Sequence, residues 1–182
     1  MGRIIALVYG VAAYALFLAT FLYAIGFVTG LVVPKTIDSG ADSSLAEALG
    51  VNLALLAVFA IQHSVMARPR CKAWWTRFVA SSVERSTSVL LSNGALILLF
   101  WQWRPLSAVV WEVQNSNVAV GLTALSLAGW LIVVTSTFLL NHFELFGLQQ
   151  VATNLTRSPM PDGEFRTPAY YRVVRPPIYL GF

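Results

Sequence analysis

The stretch IIALVYGVAAYALFLATFLYAIGFVTGLVV, residues 4–33, decides the fold because it runs for 30 residues without a charged side chain. About 20 predominantly apolar residues are enough for a helix to cross a hydrocarbon core of about 30 Å. This stretch is longer, so we predict that its helix tilts or extends past the bilayer. A secretory signal peptide is a poorer match, since its apolar core is only about 7–15 residues long. We therefore predict a retained membrane span.

The rest of the chain agrees with an integral membrane protein. Of its 182 residues, 57% are hydrophobic and only 11% are charged, which is far from the balance of a soluble domain. Three more apolar runs of spanning or nearly spanning length follow, at residues 45–66, 87–103 and 118–140. We predict an all-α fold: one integral membrane domain over residues 1–182, with four transmembrane helices and the start of a fifth.

The predicted fifth helix covers only residues 178–182. Because five apolar residues cannot span a bilayer, we expect the chain to be truncated at its C-terminus. Residues 141–177 are predicted to be a cytoplasmic loop, since prolines and a turn signal punctuate most of this stretch.

The basic residues predict the orientation of the spans. If all four spans cross, ten of the twelve lysines and arginines fall on one side, and only Lys35 and Arg104 lie opposite. Cytoplasmic loops carry the excess of Lys and Arg, so the N-terminus is predicted to be cytoplasmic. Anionic lipid headgroups explain these loop charges, and no nucleic-acid role follows. Cys71 is the only cysteine, which excludes a disulfide within the chain, and we predict no metal site.

Three ionisable residues lie at the predicted inner ends of spans. His63 ends the second span, and His142 and Glu144 follow the fourth. Such groups are costly near lipid unless they have partners or a water-filled cavity, so we expect the three to converge on one pocket. His63 taken alone is also compatible with a structural role. Glu144 needs a partner, and on a helix it shares a face with Asn141 rather than with His142.

The end of the predicted loop supplies cations beside a helix start. Pro176 and Pro177 are tolerated in the first turn of a helix, and Arg172 and Arg175 directly precede them. Helix N-termini and arginines both bind anions, including the carboxylate of an amino-acid-like cofactor. A basic, aromatic loop docked on lipid headgroups explains the same residues equally well.

Several motifs resemble a known family. Residues 62–68 (QHSVMAR), 141–148 (NHFELFGL) and 165–175 (FRTPAYYRVVR) resemble the nurim-type membrane proteins, and most closely the bacterial methanethiol S-methyltransferases. These proteins are similar to the isoprenylcysteine carboxyl methyltransferases, whose hallmark is Arg-His-Pro-x-Tyr-x-Gly. Residues 175–181 (RPPIYLG) follow that hallmark, except that Pro176 replaces the histidine.

The resemblance implies methyl transfer from S-adenosylmethionine to a small thiol, converting methanethiol to dimethyl sulfide, in a bacterial inner membrane. His142, Glu144 and His63 are the candidate catalytic residues, the first two as proton acceptors from the thiol. The candidate cofactor-binding residues are Arg172, Arg175, Pro177, Tyr179 and Gly181. The partners are then the thiol substrate and the membrane lipids. A non-catalytic nurim-like membrane scaffold, or an inactive fragment of the enzyme, is the alternative that the same motifs permit.

Overall fold

The computed structural model describes residues 2–106, 108–109 and 112–160. These residues form helices and no strand. The all-helical part of the fold prediction is therefore confirmed for this part of the chain. The helices are α1 (Arg3–Thr29), α2 (Leu45–Met66), α3 (Pro69–Trp75), α4 (Ser81–Gln102), α5 (Ser116–Leu139), α6 (His142–Leu145) and α7 (Leu148–Thr156).

Three of these helices, α1, α2 and α5, are long and apolar enough to cross a membrane. Large apolar side chains on them face outward, among them Leu53 and Val120. Buried positions are instead often small or polar, such as Ala13, Asn52 and Ser136. Large apolar groups outside and small or polar groups inside are typical of helices that pack together in lipid. The chain is a membrane protein.

The predicted spans differ from the helices mainly at their ends. Helix α1 ends at Thr29 rather than at residue 33, because Gly30 adopts a left-handed conformation (φ 73°) and its N–H donates to the carbonyl of Gly26. Helix α4 begins at Ser81, ahead of the apolar run predicted from residue 87. It is not one of the three helices that qualify as spans by composition, so the prediction of four spans stays a prediction.

The chain divides into two compact units. The first contains Met1–Ser107 and Phe146–Pro159, and the second contains Ala108–Leu145 and Met160–Phe182. The prediction of a single domain stays a prediction. In the first unit, α4 packs along both α1 and α2, and α7 packs against α1 and α4. In the second unit, α6 packs on α5.

Helix directions in the first unit follow from contacts at the two ends of α4. Near its start, Thr87 Oγ1 lies 3.0 Å from the hydroxyl of Tyr9 on α1. Near its end, the ring of Phe100 lies 4.9 Å from that of Phe27, also on α1. The two helices therefore run parallel. Helix α2 runs antiparallel to both, since buried Asn52 near its start binds the backbone of Arg104 just beyond α4 through hydrogen bonds of 2.7 and 2.9 Å.

The prediction of a loop over residues 141–177 is wrong for its first part, which contains α6 and α7. Helix α7 is nine residues long, too short to resemble a span, and its sequence mixes polar and apolar residues. Its helical form depends on tertiary burial: Val151 is fully buried and clusters with Ala6 of α1 and Val83 of α4. A short helix of this kind gains most of its stability from packing rather than from its own sequence.

Gly147 joins the two short helices. Its φ of 89° lies in the left-handed region, and a Cβ there would lie 2.6 Å from Ser86 Oγ and 2.8 Å from the Ser86 nitrogen. Glycine is therefore required both by conformation and by close packing on α4. The preceding Phe146 stacks on Phe17 of α1, with ring centroids 3.7 Å apart. Residues 146 and 147 of the 141–148 motif are thus held in the first unit by close packing on α4 and α1.

Candidate functional site

The polar half of the 141–148 motif lies in the second unit, and the chain changes direction sharply where it begins. Asn141 has a positive φ of 75°, a conformation that Asn tolerates better than most residues. Its side chain makes both bonds of a reciprocal cap on α6: Oδ1 accepts from the Glu144 N–H at 3.4 Å, and Nδ2 donates to Glu144 Oε2 at 2.9 Å. Glu144 therefore pairs with Asn141, but Asn141 precedes α6 and caps it, so a shared helical face does not explain the contact. Glu144 is half-buried, and Asn141 is one of its partners.

His142, the first residue of α6, lies in an enclosed aromatic and hydroxyl environment, with only 6% of its surface exposed. Its ring is parallel to that of Phe138, at a centroid distance of 4.1 Å and an interplanar angle of 1°. Phe143 meets it edge-on at 5.6 Å. Its Nδ1 atom lies 2.8 Å from Thr137 Oγ1. These contacts with residues of α5 and α6 together hold the imidazole in one orientation.

The hydrogen-bond network assigns the tautomer of His142. The single proton of the Thr137 hydroxyl is donated to the carbonyl of Val134, at 2.7 Å. Thr137 Oγ1 must then accept from His142, so Nδ1 carries the ring proton and Nε2 carries the lone pair. Burial lowers the pKa of His142 below its ordinary value of 6.5. The side chain is thus a neutral imidazole at pH 7, with Nε2 as its basic atom.

His63, the other histidine of the predicted site, is exposed near the end of α2 in the first unit. Its Nδ1 lies 3.3 Å from Ser92 Oγ of α4, and Ser92 in turn donates to Gln62 Oε1 at 3.1 Å. Its ring stacks on Phe59, with centroids 5.6 Å apart. These contacts join α2 to α4. The convergence of His63, His142 and Glu144 on one pocket stays a prediction, since the last two belong to the second unit.

The predicted cofactor-binding residues lie outside the described part of the chain. Their roles therefore remain predictions from the sequence. They are Arg172, Arg175, Pro177, Tyr179 and Gly181. Within residues 2–106, 108–109 and 112–160, no group of three or more His, Cys, Asp and Glu side chains is arranged to hold a metal ion.

Sequence reasoning missed two residues that the structure brings into polar networks. Thr137 lies in a polar run of α5, and its hydroxyl defines the proton position on His142. Glu84 is 5% exposed in the first turn of α4, where its carboxylate pairs with Lys72 Nζ at 3.2 Å. The available signal for Glu84 was its place directly before an apolar run, where an unpaired carboxylate is costly.

The fold and site together define a helical membrane protein with a buried, neutral histidine just beyond the end of an apolar helix. The chain is 59% identical to methanethiol S-methyltransferase 1 of Bradyrhizobium diazoefficiens over 180 residues, which are 99% of this chain and 63% of that protein. It is 52% identical to the methanethiol S-methyltransferase of Mycobacterium tuberculosis over 182 residues, which are 100% of this chain and 75% of that protein. The chain belongs to the methanethiol S-methyltransferase family.

More distant similarity reaches an animal protein. The chain is 31% identical to nurim of Mus musculus over 116 residues, which are 60% of this chain and 44% of nurim. The chain spans less than two thirds of the length of the Bradyrhizobium relative. No family model matches the chain, and no solved structure does.

Proposed function

We propose that this protein is a membrane methyltransferase that transfers a methyl group from S-adenosylmethionine to methanethiol, forming dimethyl sulfide. The observation that carries the proposal is the 59% and 52% identity, along essentially the whole chain, to proteins named methanethiol S-methyltransferase. When bound, S-adenosylmethionine supplies an electrophilic methyl group on a sulfonium. The residues of this chain then have to position the thiol, exclude water and remove the thiol proton.

His142 is the proposed proton acceptor. Aliphatic thiols with a pKa near that of cysteine, about 8.5, are mostly protonated at neutral pH, whereas the thiolate is the effective nucleophile. The neutral imidazole of His142 offers a lone pair at Nε2 because Nδ1–H is donated to Thr137. In this role the S–H proton would move to Nε2, the electron pair left on the thiol sulfur would form the bond to the methyl carbon, and the bond between that carbon and the sulfonium would break, so that neutral S-adenosylhomocysteine leaves. General-base assistance of this kind is worth about 10²- to 10⁴-fold in rate.

Glu144 and His63 receive different proposed roles. The Glu144 carboxylate is engaged by Asn141 at 2.9 Å, so we assign it to positioning α6 and with it the ring of His142. His63 is exposed and bonds to Ser92, which supports a structural role between α2 and α4. Both assignments follow from the contacts of the described residues.

The cofactor site is proposed from the sequence. Arg172 and Arg175 have the charge and the forked donors that bind the carboxylate of the methionine part. Pro177, Tyr179 and Gly181 follow at the start of the predicted helix, where backbone N–H groups favour an anion.

We also propose that α4 crosses the membrane, which gives four spans, with a fifth beginning at residue 178. Helix α4 has 22 residues, so it is about 33 Å long at about 1.5 Å per residue. It runs parallel to α1 from Tyr9 to Phe27, and α1 is long enough to cross. Parallel α1 and α4 with α2 antiparallel agree with the predicted loop charges, and hence with a cytoplasmic N-terminus in the bacterial inner membrane.

The test is methyl transfer by the purified protein in detergent. Methanethiol and S-adenosylmethionine carrying a deuterated methyl group are supplied, and dimethyl sulfide is measured in the headspace by mass spectrometry. We expect dimethyl sulfide with one labelled methyl group, with the Mycobacterium tuberculosis relative as the positive control. Calorimetry measures binding of S-adenosylmethionine separately. Absence of both labelled product and cofactor binding would contradict the proposal.

A non-catalytic membrane protein is the second candidate, and the similarity to nurim permits it. This candidate predicts a helical, stably folded protein in detergent that binds no S-adenosylmethionine. Circular dichroism checks the folding, so the same preparation separates the two functions.

A further inference from the structure

A groove of about 410 Å³ lies between α1 and α4 in the first unit, toward the C-terminal ends of both helices. Leu16, Ala19 and Tyr23 contribute one wall, and Phe100 and Trp101 contribute part of the other. The lining is almost entirely apolar. Since α1 is long enough to cross a membrane, this groove lies along a helix of spanning length.

Lys35 is the charged residue that lines the groove. Its ammonium group donates to the backbone carbonyl of Trp101, and its own carbonyl accepts from the Tyr23 hydroxyl at 3.3 Å. The long aliphatic stem of a lysine can line an apolar surface while its charge stays near water. Lys35 thus places a positive charge where the apolar groove meets the membrane surface.

Arg104 adds a second positive charge close by. Burial and the Arg104 charge both lower the pKa of Lys35. Arg104 Nε is buried without a hydrogen-bond partner among the described residues. Neither cation forms an ion pair with a carboxylate of residues 2–106, 108–109 or 112–160. Asp38 lies three positions from Lys35 in the chain, but its side chain is exposed and forms no ion pair with Lys35. Two neighbouring cations without an acidic partner among these residues favour an anion at the Lys35 end of the groove.

We propose that this groove binds one acyl chain of an anionic phospholipid, with the lipid phosphate bound by Lys35 and attracted by the nearby charge of Arg104. The apolar walls suit a hydrocarbon chain, and the two cations suit the phosphodiester. Lys35 and Arg104 are also the two basic residues that the predicted topology leaves opposite the cytoplasmic side, so the lipid would belong to the outer leaflet. The site is independent of the proposed methyl transfer.

Native mass spectrometry of the detergent-purified protein tests the site. The protein is incubated with phosphatidylglycerol or with phosphatidylcholine carrying identical acyl chains, and the retained lipid is counted. We expect phosphatidylglycerol to be retained about fivefold better, the effect of about one lysine at an anionic surface. Lys35→Gln should remove this preference, and Lys35→Arg should keep it.

A second pair of variants tests the groove itself. Ala19→Trp fills it and should abolish retention of the lipid. Leu18→Trp adds the same ring to the neighbouring exposed position outside the lining and should retain lipid like the wild type. Helicity and melting are compared for all variants. Equal retention of the two lipids by the wild type, or wild-type retention by a folded Ala19→Trp variant, would overturn the proposal.

Discussion

His142 and His63 both lie at the end of an apolar helix, yet their surroundings have little in common. His142 in the second unit is 6% exposed, stacked on Phe138, and its Nδ1 proton is directed to Thr137. His63 in the first unit is exposed, and it reaches Ser92 at a longer distance of 3.3 Å. The difference teaches that burial together with a fixed tautomer, rather than depth along a span, separates a candidate base from a histidine that joins two helices.

The sharpest way to break this comparison is to remove each imidazole in turn. His142→Gln should lower the rate of dimethyl sulfide formation by about 10²- to 10⁴-fold, since a general base contributes that much. His63→Gln should leave the rate within about twofold. His63 is exposed and is not the proposed base, and substitutions of exposed side chains usually have small effects. The measurement is kcat with saturating S-adenosylmethionine and methanethiol. Equal losses in the two variants would show that burial does not distinguish the residues.

Removing the acceptor of the Nδ1 proton sharpens the comparison further. Thr137→Val keeps the shape of the side chain but leaves a buried donor unsatisfied, at a cost of about 1 to 3 kcal/mol. The ring then favours the tautomer with its proton on Nε2, and we expect kcat/KM to fall about tenfold. Thr137→Ser restores the hydroxyl and should restore activity. Thr135→Val is the matched control on an exposed position of α5, and a loss there as large as at Thr137 would contradict the tautomer assignment.

These expectations also show what the sequence alone could and could not predict. Apolar length is a local property, so α2 was predicted residue for residue and the ends of α5 within two positions. The contact between Thr137 and His142 was not predictable, because it depends on the turn at Asn141, whose φ of 75° returns α6 onto the end of α5.

Helix α7 was missed for a similar reason. Its apolar residues have helical spacing, but nine residues are too few for a stable helix on their own, and this helix depends on the burial of Val151 against α1 and α4. In the same way, the ion pair of Glu84 with Lys72 joins α4 to α3, a helix that the sequence reading did not predict. The proposed cofactor residues lie outside the described part of the chain, so their assignment comes from the sequence alone, through the charge of Arg172 and Arg175 and through the family resemblance.

The pH dependence of the rate tests the surroundings of His142 with a smaller effect. The neutral form must accept the proton, so activity falls as pH decreases through the pKa of His142. Burial lowers this pKa below the ordinary 6.5, which means that more than half of the side chain is still neutral at pH 6.5. Lowering the pH from the plateau to 6.5 should therefore reduce kcat/KM by less than half. A half-maximal rate at or above pH 6.5 would contradict the buried, neutral imidazole, and His142→Gln should lose this acidic limb.

The smallest effect is expected where His63 meets α4. Ser92→Ala removes the hydroxyl that lies 3.3 Å from His63 Nδ1 and that donates to Gln62 at 3.1 Å. Hydrogen bonds between membrane helices contribute about 0.6 kcal/mol on average, so a slight decrease in the melting temperature and an unchanged kcat are expected. Ser88→Ala, one turn earlier on α4, is the control, because the Ser88 side chain makes no hydrogen bond within the described residues. A fall in kcat for Ser92→Ala alone would place the α2–α4 contact in the catalytic site and would remove the distinction between the two histidines.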